Sequence, residues 1–150
     1  MGLLSAFLRW VERSPAHKIV TFSDEHLFWR YAPFWPDEFH SKSGKVWCRP
    51  PWWRPFNILF HCWNPTPGLS EEFHDHPRWS VTVCLSGSII ERTPWGDRTL
   101  RPGSIVIRSR KAIHAFRVPE EHHGKTWTMF IVGRRNHRQN VYVVTPQEVV

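Results

Sequence analysis

A chain of 150 residues is the size of one domain, and 41% hydrophobic residues, with ten tryptophans and ten phenylalanines, give it more apolar surface than a disordered chain carries. Thirteen prolines exclude a fold of long helices, because each lacks the N–H that a helix interior needs. The formal charge of +7 suits an anionic partner; yet apart from Arg108, Arg110 and Lys111 and the run Arg134, Arg135, His137 and Arg138 the basic residues are scattered, and no aromatic-basic motif joins them, so nucleic acid is not the expected partner.

The chain opens with apolar residues at Leu4, Phe7, Leu8 and Val11, the i, i+3, i+4, i+7 stripe of an amphipathic helix that Pro15 would stop. The stripe is short and weakly basic, so it is expected to dock on the body of the protein rather than on a membrane surface. This segment lacks the basic n-region of a secretory signal, and no stretch approaches the roughly 20 apolar residues needed to cross a bilayer. The three cysteines, Cys48, Cys62 and Cys84, are odd in number and form no CxxC pair, which reads as reduced thiols in a cytoplasmic compartment.

Residues 16–55 are crowded with aromatics and prolines, as in FWRYAPFWPDEF and CRPPWWRPF, and cannot sustain a helix. They carry too much apolar surface to be left in water. The expected arrangement is an aromatic-rich arm with one or two short strands, so that 1–55 form a short N-terminal helix and an arm packed on a barrel of residues 56–150, all within one structural domain. From residue 56 the texture changes to short β-branched and aromatic runs at 56–63, 79–87, 88–93, 97–101, 104–109, 112–118, 125–133 and 140–145, separated by turn signals such as NPTPG, TPWGD, RPG and PEEHHGK. This pattern predicts an all-β sandwich or barrel rather than βαβ units. A phosphate-cradling glycine motif and a GxSxG elbow are both missing from the sequence.

The chemistry concentrates in GLSEEFHDHPRWSVTVCLSG. On a strand His74 and His76 point the same way, and a third histidine, His114, falls in a later strand-like run after Gly103. Three neutral imidazoles on adjacent strands would make a facial site for one metal ion. Gly68, five residues, His74, Asp75, His76, three residues, Ser80, six residues and Gly87 follow the spacing G(X)5HXH(X)3-4E(X)6G, with serine where that pattern has glutamate. Gly103, five residues, Ser109, two residues further Lys111, then His114 and Val118 follow the spacing G(X)5PXG(X)2H(X)3N at its glycine and histidine only.

These two spacings resemble the motifs of the cupins, and the matched stretch covers about a third of the chain. The resemblance is to small bacterial and phage cupins with an HDHP motif, distantly like the three-histidine cysteine dioxygenases. It implies a double-stranded β-helix, that is, a jelly-roll barrel, holding one divalent transition metal on His74, His76 and His114. Fe(II) is favoured, with Ni, Mn or Zn as alternatives. The activity implied is that of a non-haem iron dioxygenase acting on a small anionic organic substrate. The alternative is a non-enzymatic cupin module that binds a ligand or serves a structural role, its metal site degenerate, since the second motif is eroded.

Without a carboxylate ligand the ion would keep its full charge and favour an anionic ligand. Arg78 and Arg92 are the arginines expected to clamp a carboxylate, with Ser80 in the third ligand slot and Trp79, Phe116 and Trp127 as pocket walls. His61, Glu91 and Tyr142 are candidates to support the ligands from behind. Straight strand parity turns Ser80, Thr82 and Cys84 toward the site and leaves Trp79, Val81, Val83 and Leu85 outside. Those four would need cover from the arm or from a second subunit in a homodimer, unless a bulge at Pro77 reverses the parity.

Overall fold

The computed structural model describes residues 2–14, 16–20, 26–34, 38–40, 46–48, 53, 55–67, 72–76, 78–133 and 141–142, with strand residues 17–20, 38–40, 46–48 and 141–142 known by backbone alone. Gly68 and Pro77, and with Pro77 the question of a bulge there, lie outside the described residues. Helix α1 (Leu3–Glu12) opens the chain. Thirteen strands follow among the described residues: β1 (Ala16–Val20), β2 (His26–Tyr31), β3 (Glu38–His40), β4 (Val46–Cys48), β5 (Phe56–Trp63), β6 (Phe73–His74), β7 (Ser80–Ser86), β8 (Ile89–Thr93), β9 (Gly96–Leu100), β10 (Ile105–Arg108), β11 (Ala115–Arg117), β12 (Thr126–Gly133) and β13 (Val141–Tyr142).

A six-stranded sheet of order β1-β2-β5-β12-β7-β10 packs against a three-stranded sheet of order β11-β8-β9, and short pairs join β13 to β6 and β3 to β4. All the pairings are antiparallel. The two sheets close on one apolar cluster, with Phe28, Trp63, Cys84 and Val106 from the larger and Ile89, Leu100 and Phe116 from the smaller. At the ends of the strands, Gly87 takes φ 67°, and a Cβ there would stand 2.4 Å from Thr126 Oγ1 and 2.8 Å from Thr126 Cα, so the turn into β8 requires glycine.

Parity in β7 and β10 runs against the usual apolar-in pattern. Ser80, Thr82 and Cys84 are buried while Val81, Val83 and Leu85 are half-buried. In β10, Val106 and Arg108 are buried while Ile105 and Ile107 are exposed. Inward Thr82 and Arg108 connect to His114 through Glu91, and of the outward apolar residues Leu85 packs with the cluster that α1 covers. Val11 is fully buried with Phe60 and Trp127, and Leu8, Ile58, Leu85 and Met129 pack around them. Phe7 meets Phe60 edge-on at 5.4 Å. The amphipathic stripe therefore docks on the outer face of the sheet.

The arm expected over residues 16–55 is in part sheet. β2 pairs with β5 with Arg30 opposite His61 and Trp29 opposite Cys62, and β1 extends the sheet by pairing with β2. The run HLFWRY satisfies its backbone groups along the edge of β5, and AHKIV along that of β2. β1 and β2 thus lie in the same sheet as β5.

Candidate metal centre

His74 and His114, forty positions apart in sequence, are brought side by side by the backbone. The His74 N–H donates to the His114 carbonyl at 2.9 Å and the His114 N–H donates to the His74 carbonyl at 3.0 Å, an isolated antiparallel bridge. Residues paired this way carry their side chains on one face, and the two rings stand 4.9 Å apart. His76 joins them with ring centroids 4.9 Å from His74 and 5.0 Å from His114. One ring nitrogen of each of the three lies within 4.8 Å of the others.

Each outer contact fixes which nitrogen is presented. His74 Nδ1 is 2.7 Å from the Glu72 carbonyl, and a carbonyl can only accept, so the proton sits on Nδ1 and the Nε2 lone pair is left for an ion. His114 Nδ1 is 3.0 Å from Glu91 Oε1, which fixes its tautomer in the same way. His76 Nε2 and His114 Nε2 are 2.9 Å apart. Metal–nitrogen distances of about 2.0–2.1 Å place neighbouring donors on one ion about 3 Å apart. The donor set therefore fits a divalent transition metal. Burial pushes the pKa of His76 and of His114 down, the latter to about 4 in spite of its bond to Glu91, so both rings are neutral as ligands must be.

Glu91 is the anchor of this arrangement. It is 1% exposed and receives His114, Arg108 and Arg98, while Arg108 Nη1 also donates to Thr82 Oγ1 at 2.8 Å. Burial alone would raise the Glu91 carboxyl, but hydrogen bonds from His114 and Arg108, the Arg108 charge and the bond from Arg98 outweigh it and hold the pKa at about 2. The carboxylate faces the far nitrogen of His114 rather than the ion's side of the ring. A cleft of about 440 Å³, lined by Glu91, Trp95, Asp97, Arg98, Arg108 and His114 among others, opens on this end of the network.

Ser80 is wholly buried on the inward row with Thr82, and its hydroxyl has no hydrogen-bond partner among the described residues. A buried hydroxyl left unpaired costs about 1–3 kcal/mol, which a water or ligand in the barrel would recover. Phe116 stands with its ring 4.9 Å from His114, and Phe130, which sequence reasoning did not single out, with its ring 5.3 Å from His76.

Other expected residues lie elsewhere. Trp127 is buried under α1 on the outer face, because the inward side of β12 carries Thr126, Thr128, Phe130 and Val132. Trp79 lies against Gly133, where an added Cβ would come within 2.2 Å of the indole nitrogen, and is 43% exposed. Neither tryptophan walls the histidine cluster. Arg92 stands on the face of β8 opposite to Glu91, its guanidinium 5.0 Å above the Phe73 ring, so strand alternation takes it out of the barrel. Arg78 Nη1 donates to the Gly133 carbonyl at 3.3 Å. His61 is buried, but its Nε2 accepts from Arg30 Nε at 3.1 Å and it touches none of the three histidines by hydrogen bond. The Tyr142 side chain is outside the described residues. Arg108 went unnoticed as a partner of Glu91, because finding it needed the inward parity of β10.

No family model matches the chain, and no curated protein matches it. Solved structures do. The polyketide cyclase RemF from Streptomyces resistomycificus superposes with a TM-score of 0.62 at 13% identity, over 93% of this chain and 87% of that one. The DMSP lyase DddQ from Ruegeria pomeroyi gives a TM-score of 0.57 at 16% identity over 91% of this chain, which spans 64% of the lyase, less than two thirds of its length. KdgF from Halomonas sp. gives a TM-score of 0.54 at 11% identity, over 83% of this chain and 92% of that one. These are cupin-fold structures. The chain has the cupin fold. In this chain the HxH segment sits on β6 and just beyond it, and the third histidine just before β11, so the pair of motif histidines and the late histidine meet through the bridge between residues 74 and 114.

Proposed function

We propose that this cupin is a metal-dependent enzyme that binds a small anionic organic substrate at His74, His76 and His114 and, loaded with iron, oxidises it with dioxygen. The observation that carries the reading is the all-imidazole donor set, with Glu91 turned to the outer nitrogen of His114. A divalent ion held by these rings would keep its +2 charge, polarise an anionic donor as a Lewis acid and, as iron, supply the redox chemistry that dioxygen requires. The protein's own part is to orient the rings through the Glu72 carbonyl and Glu91, and to keep water off the site with Phe116 and Phe130.

Oxygen uptake by the iron-loaded protein over a panel of thiol-carboxylates and 1,3-dicarbonyl compounds tests this reading, with apo protein and His114→Ala as controls. Uptake no greater than in the controls across the panel would remove it. A second reading, Lewis-acid chemistry without oxidation, is favoured by the superposition on a cyclase and a lyase over more than nine tenths of this chain. It predicts that zinc-loaded protein transforms a substrate under argon, where the oxidative reading predicts no turnover.

A further inference from the structure

Two buried polar side chains on the inner wall have hydrogen-bonding capacity left over. Asn57 stands on the inward row of β5, and its Oδ1 accepts from the Ile58 N–H at 2.8 Å. A backbone N–H can only donate, so the free end of the amide is Nδ2. That Nδ2, like the Ser80 Oγ, is buried with no hydrogen-bond partner among the described residues, and both residues are 0% exposed. Strand register brings them together. Val132 stands opposite Asn57 on β5 and opposite Ser80 on β7, and opposed residues in an antiparallel pair share a face. The shared face is the inward one, since Val132 packs with Leu59 and Phe130, and the Phe130 ring lies 5.3 Å from His76. Neighbouring strands lie about 4.8 Å apart, and two residues along a strand cover about 7 Å. The amide and the hydroxyl thus straddle one apolar residue a single inward step from the ring beside His76. Arg108, which follows Ser80 in the row, is held by Glu91 and Thr82, and the pair itself is uncharged.

We propose that Asn57 and Ser80 form a neutral seat for an uncharged oxygen of the substrate, set apart from the group that meets the metal. The amide nitrogen only donates, whereas the serine hydroxyl donates and accepts. A hydroxyl oxygen accepts from Asn57 while donating to Ser80, and a carbonyl oxygen accepts from both. The ligand class is therefore a short hydroxy- or oxo-carboxylate, with its carboxylate at His74, His76 and His114 and its remote oxygen over Val132. This rests on the reading of the three histidines as a metal centre and names the kind of anion that the centre takes. An analogue lacking the oxygen leaves both buried groups unpaired, and a site built to pair a substrate oxygen rejects such analogues.

The test uses the full chain loaded with Co(II), whose visible absorption reports ligands entering the metal's shell. The acids 3-hydroxybutyrate and 4-hydroxybutyrate are compared with butyrate, and 4-oxopentanoate with pentanoate, by spectral and calorimetric titration. At least one oxygenated acid is expected to bind tenfold or more tighter than its parent. Ser80→Ala and Asn57→Leu are each expected to cut that advantage to about twofold or less while cobalt content stays at the wild-type level. Asn57→Leu also removes the acceptor of the Ile58 N–H, so Ser80→Ala, which breaks no hydrogen bond among the described residues, decides the matter if the other variant fails to fold. Equal affinity for oxygenated and parent acids in the wild type overturns the proposal; it is the result that a water already bound to the two groups would give. An advantage that survives in Ser80→Ala overturns it too, since the extra oxygen would then be binding the metal. Failure to take up cobalt at all sinks the metal reading and this one with it, whereas cobalt bound without discrimination sinks this one alone.

Discussion

His74 and His114 exchange both of their backbone hydrogen bonds, at 2.9 and 3.0 Å, so the pairing of two side chains is set by main-chain geometry rather than by any attraction between the rings. The backbone holds the two imidazoles of such a pair together without an ion. The site is therefore prepared before a ligand arrives, and metal uptake should cost little reorganisation.

The expected stoichiometry is about one divalent transition metal per chain. Elemental analysis of protein purified without chelator should find it in the wild type. It should fall to background in the His74→Ala, His76→Ala double variant; equal content in the two would refute the assignment.

Replacing Glu91 separates orientation from charge. Glu91→Ala removes the carboxylate shared by His114, Arg108 and Arg98, and breaking a buried ion pair on one side costs about 3–5 kcal/mol. Glu91→Gln keeps an acceptor for the His114 N–H but weakens it, and losses of about 10–100-fold in metal affinity are typical for such outer partners. Chemical denaturation and competitive metal titration measure the two effects, and wild-type values in both would show that the network is ornamental to the site.

Ser80 gives a paired test. Ser80→Ala deletes a buried hydroxyl without a partner among the described residues and should raise stability by about 1 kcal/mol in the apo protein. Ser80→Glu should add a carboxylate donor and tighten metal binding if position 80 faces the ion. A metal affinity unchanged by Ser80→Glu would mean that the inward row at Ser80 points past the histidines.

Apo stability should fall with acid. His61, His76 and His114 have folded pKa values lowered by burial, whereas the unfolded chain takes up their protons near 6.5. Below about pH 6.5 the unfolded state therefore binds more protons than the folded one, so each histidine removes up to about 1.4 kcal/mol of stability per pH unit, His114 until about pH 4. Glu91, depressed to about 2, adds a loss of the same sign that begins below its unfolded value near 4.5. Urea melts at pH 8, 7, 6 and 5 should show a plateau and then a decline; a midpoint flat across that series would mean that these rings protonate in place.

The jelly roll and the three histidines were legible because both rest on local regularities, period-two strands and a fixed spacing from His74 to Ser80 and Gly87. The N-terminal helix was legible for the same reason, and Val11, the last residue of its apolar stripe, is fully buried. The pocket walls were less so. Trp79 and Trp127 are large and aromatic, but which side of a strand faces the barrel depends on parity carried across β7 and β12, and in both strands the inward side holds serine and threonine. Arg30 and His61 meet only through pairing of β2 with β5, a non-local register that composition in FWRYAPFW hides behind aromatics and proline.

The two bridged histidines differ in what stands behind them. His74 leans on the Glu72 main-chain carbonyl, whose dipole does not titrate and is indifferent to what happens at the surface. His114 leans on a carboxylate shared with Arg98, and Arg98 is 53% exposed. A perturbation in the solvent, whether added salt, a bound anion or a substitution at Arg98, is thus relayed in two bonds to the electron-donating power of one ligand while the other stays constant. An ion held here would have one fixed ligand and one adjustable one, and its Lewis acidity would answer to Arg98 from outside the barrel.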